Sequence, residues 1–129
     1  MSAKRILVVE DTEMNRKIVR IVLKARGHEV LEAAGAEEAL ATLHAEIPDL
    51  ILMDIALPGM SGEELTQQIK ANPKWCHLPI IALTASAMKG DREQFLKAGC
   101  DDYISKPVDT HALAELVENY LSKDVNNNA

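Results

Sequence analysis

The chain has 129 residues, 47% of them apolar and 26% charged, which suits one globular domain with a buried core. Its formal net charge of −6 at pH 7 speaks against nucleic acid or an anionic membrane as a direct partner. No apolar run approaches the roughly 20 residues of a membrane span, and no signal-peptide pattern precedes the first apolar run. Cys76 and Cys100 make neither a disulfide framework nor a metal-ligand set and read as reduced thiols of a cytoplasmic protein.

Short apolar runs alternate with amphipathic stretches from end to end. Ile6–Val9 is strand-like, and Met14, Ile18, Ile21, Val22 and Ala25 then recur at helical spacing, with Gly27 placed to close that helix. Glu29–Ala33 predicts a second, weaker strand. Ala36, Ala39, Leu40 and Leu43 form the next helical stripe, ended before Pro48. Leu50–Met53 is the third strand and runs straight into Asp54. After the turn Leu57-Pro58-Gly59-Met60, Ser61-Gly62-Glu63-Glu64 matches a capping box and opens a helix carrying Leu65 and Ile69. Pro79–Thr84 is the fourth strand. Residues 87–98 predict a poorly striped helix with only Phe95 and Leu96 strongly apolar, and Asp102–Ser105 a short fifth strand. Leu113, Leu116, Val117, Tyr120 and Leu121 mark the last helix, and about 123–129 reads as a frayed tail.

Five strand–helix units in tandem imply an α/β fold: a doubly wound, five-stranded parallel sheet with five helices on its two faces. The unbroken apolar character of strands 1, 3 and 4 fits burial on both sides. Right-handed crossovers leave few topologies, of which the flavodoxin-like order 2-1-3-4-5 is the obvious one. One domain over 1–129 accounts for the chain, with no internal repeat and no linker.

Parallel strands deliver their C-terminal ends to one edge, where ligands of open α/β sheets bind. Strand 1 ends in Glu10-Asp11, strand 3 in Asp54, strand 4 in Thr84-Ala85-Ser86 and strand 5 in Ser105-Lys106-Pro107. Three carboxylates brought together repel one another unless a cation joins them. All-oxygen ligation suits Mg²⁺, and a carboxylate beside it can act as a nucleophile toward a phosphoryl group. Lys106 and the metal would neutralise charge on the phosphoryl oxygens, and Thr84 could donate a hydrogen bond to one of them.

At this point the chain resembles a receiver domain of a two-component response regulator, in the CheY-like superfamily. The carrying motifs are Val8-Val9-Glu10-Asp11, Met53-Asp54-Ile55-Ala56-Leu57-Pro58-Gly59-Met60-Ser61-Gly62, Leu83-Thr84-Ala85 and Tyr103-Ile104-Ser105-Lys106-Pro107. Each is weak alone, and all four in order are highly specific. The stretch Ala85–Asp91 resembles the DivK-type single-domain regulators. The resemblance implies that Asp54 accepts a phosphoryl group from a phosphohistidine on a sensor histidine kinase or histidine phosphotransfer protein. Asp11, Asp54 and the backbone carbonyl of Ala56 would bind Mg²⁺ directly, and Glu10 through a water. Lys106 would pair with the phosphoryl oxygens, its bond to Pro107 would be cis, and Thr84 and Tyr103 would switch. The surface of helix 4, strand 5 and helix 5 would then change for a downstream protein, in a monomer or weak homodimer that is not otherwise an enzyme. Two positions limit the carry-over: Ala56 and Ser86 stand two residues beyond Asp54 and Thr84, and Ala56 cannot orient a water, which implies slow self-dephosphorylation.

Plainer readings exist for each residue. Glu10 and Asp11 could cap the first helix; Asp54 and Lys106 could be loop residues, and Thr84 and Tyr103 ordinary strand packing. The four histidines share no ligand spacing and read as surface or partly buried. Met14 and Met88 read as packing or loop residues, and Trp75-Cys76 as a loop cap over the sheet's far end or a partner contact. Among functions, a Mg²⁺-dependent phosphohydrolase using an aspartyl phosphate would want a second acid where Ala56 stands. A flavodoxin-like cofactor binder would want a phosphate cradle where the acidic Glu10-Asp11-Thr12-Glu13 stands. The methionine start and the tail after Leu121 favour a stand-alone chain over a receiver excised from a longer kinase.

Overall fold

Alternation of short apolar runs and amphipathic segments becomes five strands and five helices in a computed structural model, which describes residues 4–85 and 89–127 and, of these, all side chains but those of 89–92 and 123–127. The elements are β1 (Arg5–Val9), α1 (Glu13–Ala25), β2 (Glu29–Ala33), α2 (Ala36–Ala45), β3 (Leu50–Asp54), α3 (Gly62–Ala71), β4 (Ile80–Thr84), α4 (Lys89–Ala98), β5 (Asp102–Ser105) and α5 (Thr110–Asn127). The strands form one sheet in the order β2-β1-β3-β4-β5, every pair parallel, as the sequence predicts.

Successive strand side chains point to opposite faces, so each central strand feeds two cores. Leu7, Val9, Ile51, Met53, Ile80 and Ala82 meet Ala39 and Leu43 of α2, Leu65 and Ile69 of α3 and Phe95 of α4. Ile6, Val8, Leu50, Leu52, Ile81 and Leu83 meet Val19 and Leu23 of α1 and Leu113, Val117 and Leu121 of α5. That two-sided burial is why β1, β3 and β4 carry no polar alternation. The edge strands β2 and β5 are less buried, which accounts for their weaker signal.

Three local signals act as the sequence implies. Ser61 Oγ accepts from Glu64 N at 3.2 Å and caps α3. Gly27 turns the chain off α1 at φ +87, in the left-handed region that glycine tolerates, and its amide closes on Lys24 O at 3.0 Å. Trp75 is buried in the first core and takes the edge of His44 at 4.9 Å and 73°.

The face of α1 differs from the expected one. Met14, Ile18 and Ile21 are 64%, 40% and 57% exposed, whereas Val19 and Leu23 are buried. With apolar residues on both sides of this helix, periodicity found the helix but not which stripe meets the sheet. Leu96 of α4 is likewise exposed while Phe95 is buried. The α5 backbone continues to Asn127, past the apolar stripe that ends at Leu121. Ser86 and Met88 lie outside the described residues.

Candidate functional site

With β1 and β4 flanking β3, and β5 beyond β4, the residues that end these strands share the C-terminal edge of the sheet. Glu10 follows β1 directly and stays in line through its amide, which donates to Ala33 O at 3.0 Å. Asp54 is the last residue of β3. Glu10 and Asp54 are buried, at 1% and 2% exposure, and Asp11 is exposed, so the acidic cluster opens to solvent on the Asp11 side. One carboxylate oxygen from each of the three lies within 4.8 Å of the others.

Lys106 reaches in from the end of β5. Its Nζ stands 3.1 Å from Glu10 Oε1 and 3.3 Å from Asp54 Oδ1. Its amide donates to Thr84 O at 2.7 Å, and the Lys106–Pro107 peptide is cis, as the resemblance implies. Thr84 is buried at the end of β4, in register with Ser105. Ala56 presents its amide to Asp54 Oδ1 at 3.0 Å and is itself exposed. Tyr103 is half-buried and packs against the core shared with α3 and α4. Glu10, Asp11, Asp54 and Lys106 are therefore brought together, with Thr84 at the adjoining strand end.

Burial first, and the neighbouring Asp54 second, push the Glu10 carboxyl up to about 7, against the pull of Asn15 and Lys106. Burial alone would raise Asp54 too, but hydrogen bonds from Glu10 and the Ala56 amide, with the Lys106 charge, hold it below the usual carboxylate range. Burial opposes the charged form of Lys106, and the two carboxylates overcome it and raise its pKa. Among the described residues, one ammonium thus faces two buried carboxyl groups and a third at the rim, an arrangement short of positive charge.

That deficit is a test of whether a divalent cation suits the cluster. The donors are all oxygen, as Mg²⁺ prefers. Among the described residues, Glu10 Oε2 is buried without a hydrogen-bond partner, and a buried polar atom of this kind is costly unless something satisfies it. A hydrated Mg²⁺ fits both observations.

The model of the response regulator receiver domain family matches residues 6–118. The chain belongs to this family. This receiver domain is 43% identical over 118 residues to the polar-differentiation response regulator DivK of Brucella ovis, a span of 92% of this chain and 96% of DivK. It is similar in structure to a putative response regulator from Chloroflexus aurantiacus, with TM-score 0.90, 32% identity, and 94% and 99% of the two chains covered. It is also similar to the receiver domain of the sensor histidine kinase PA1611 from Pseudomonas aeruginosa, which has a magnesium ion coordinated in its active site cleft. There the TM-score is 0.85 and the identity 35%, with 94% and 99% covered. This chain is accordingly a receiver domain of two-component phosphorelay signalling, similar to DivK.

Sequence reading passed over several residues that build this receiver's site. Asn15 Nδ2 donates to Glu10 Oε1 at 2.5 Å, and Arg16 Nη1 donates to the Glu10 carbonyl oxygen at 2.6 Å. Both are polar residues on a surface helix, and only the crossing of α1 over the end of β1 gives them a target. The sequence places Gly62 in a cap, but its amide also donates to Ile55 O at 3.0 Å and the chain leaving Asp54 takes the space that a Cβ would need.

Proposed function

We propose that Asp54 is the phosphoryl acceptor of this receiver domain. An Asp54 carboxylate oxygen attacks the phosphorus of a phosphohistidine on a histidine kinase or histidine phosphotransfer protein. The new P–O bond forms as the P–N bond breaks, and the imidazole leaves to take its proton from solvent. Glu10, Asp11, Asp54 and the Ala56 carbonyl would hold Mg²⁺, whose charge would favour electron density gathering on the phosphoryl oxygens. Lys106, already beside both carboxylates, shifts to pair with those oxygens, and Thr84 donates to one of them. The observation that carries this reading is the convergence of three acidic side chains and one lysine on the C-terminal edge, with the buried Asp54 held below the usual carboxylate range.

An aspartyl phosphate adds about −1.5 to −2 of charge at a packed strand end. Thr84 and Tyr103 then move, and the face of α4, β5 and α5 changes for a downstream protein. Ala56 brings no side chain that can position a water, so the phosphoryl group leaves slowly, and the domain turns over no other substrate. A single receiver domain spanning 1–129, at work in the cytoplasm as a monomer or weak homodimer, completes the reading.

Incubation with acetyl phosphate and Mg²⁺ followed by intact mass measurement tests it. One phosphoryl group is expected on the wild type, and none after Asp54→Asn or with chelator. An unmodified wild type overturns the assignment.

A further inference from the structure

Asn15 and Lys106 both hold the Glu10 side chain by the same oxygen. Its Oε1 accepts from Asn15 Nδ2 at 2.5 Å and from Lys106 Nζ at 3.1 Å, while Oε2 is buried with no hydrogen-bond partner among the described residues. Arg16 ties the main chain of the same residue through its bond to the Glu10 carbonyl oxygen at 2.6 Å, and is itself steadied by Glu32 at 3.3 Å. Both donors come from the first turn of α1, which continues directly from the Glu10-Asp11 strand end.

We propose that Asn15 is a positioning residue that sets the rotation of the Glu10 carboxylate and so presents Oε2 to the cation site. The inference rests on the Mg²⁺ reading above and deepens it. The two oxygens of a carboxylate are chemically equivalent, and Lys106 cannot distinguish them, because its ammonium is a point charge on a flexible stem with three rotatable donors. A planar amide on a helix is directional, and at 2.5 Å it claims one oxygen. The other is left buried and unsatisfied among the described residues, and a metal-bound water would satisfy it. Outer partners of this kind orient the groups around a metal, and losing one typically weakens binding by roughly 10- to 100-fold.

The test is the Mg²⁺ dissociation constant from NMR chemical-shift titration of the whole chain. Asn15→Leu removes the donor at similar volume, and Asn15→Ser withdraws it without an apolar replacement should the leucine variant not fold. Each is expected to weaken Mg²⁺ binding about tenfold. Asn15→Gln, which keeps an amide on a longer stem, recovers part of the loss. In a Glu10→Gln background, Asn15→Leu adds little, because the two changes break one unit. Asn15 variants that bind Mg²⁺ like the wild type overturn the inference, as does a loss that is fully additive with Glu10→Gln. A wild type that neither binds Mg²⁺ nor accepts a phosphoryl group overturns the reading of the whole site, and this inference with it.

Discussion

At Gly62, an added Cβ would stand 2.2 Å from Asp54 O and 2.8 Å from Ile55 Cα. Those are main-chain atoms of the turn that carries the acceptor, so they cannot yield as the end of a flexible side chain can. Gly62→Ala is expected to destabilise the domain by about 1–3 kcal/mol, the usual cost of forcing volume into a packed site. It is also expected to slow phosphoryl acceptance by displacing Asp54. A urea unfolding curve gives the first effect and intact mass after acetyl phosphate the second; a wild-type midpoint would refute the steric argument. Gly59 is glycine for a different reason, a φ of +77 in the turn after Asp54, where space is open. One loop therefore contains a glycine set by contact and another set by backbone conformation.

Elements are held to the sheet by stripes that the sheet selects. Leu52 of β3 is fully buried, and Ile21 of α1 is 57% exposed although both are large aliphatics. Leu52→Ala is expected to cost about 2–5 kcal/mol through lost burial and a cavity. Ile21→Ala is expected to stay within about 0.5 kcal/mol of the wild type. Equal losses in chemical denaturation would contradict the assignment of the faces of α1. The α5 helix has a polar tie as well: the Tyr120 hydroxyl lies 3.0 Å from Asp101 O and 3.2 Å from Asp102 Oδ2. Burial first, then the Asp102 and Asp101 carboxylates, push that hydroxyl up to about 12. The folded state then holds the proton more tightly than the unfolded chain, whose tyrosine titrates near 10. The contribution is complete below about pH 10 and is lost as pH rises toward 12. Comparing wild type with Tyr120→Phe isolates it, because other groups titrate in both. The stability gap should narrow between pH 9.5 and 11.5, as roughly the window set by that shift, and a gap constant with pH would contradict the tie.

Across the whole molecule, the sheet separates two ends with different tasks. The acidic cluster occupies the C-terminal edge, and the sole tryptophan, Trp75, precedes β4 at the opposite end, 4% exposed. At that end Lys70 donates to Leu78 O at 2.8 Å and pairs with Asp101 at 3.2 Å, while Asp101 accepts from Ile80 N at 2.8 Å. This clamp joins α3 to the starts of β4 and β5, away from the site. Trp75 emission is accordingly expected to be that of a buried indole, unchanged by Mg²⁺, and to shift only with global unfolding. Coincident unfolding curves by fluorescence and far-ultraviolet circular dichroism would support this. An emission change on Mg²⁺ titration would show instead that the two ends are coupled.

Strand identity and the residues at the strand ends were legible in the chain itself, because a strand buried on both faces must be apolar throughout, while the sheet order followed from right-handed crossovers and the known flavodoxin-like arrangement. Asp54 after Leu50–Met53 stood out for the same reason, since a charge beside a buried run has to be compensated, whereas Lys106, after the less buried β5, gained meaning only in the company of the acidic strand ends. The orientation of α1 was not legible, since Met14, Ile18 and Ile21 form as good a stripe as Val19 and Leu23, and only the sheet beneath decides between them. Nor were Asn15, Arg16 and Gly62, whose neighbours Glu10, Asp54 and Ile55 reach them through the crossing of a helix over a strand end. Periodicity records which residues avoid water; the partners a polar side chain finds depend on how separate elements meet in space.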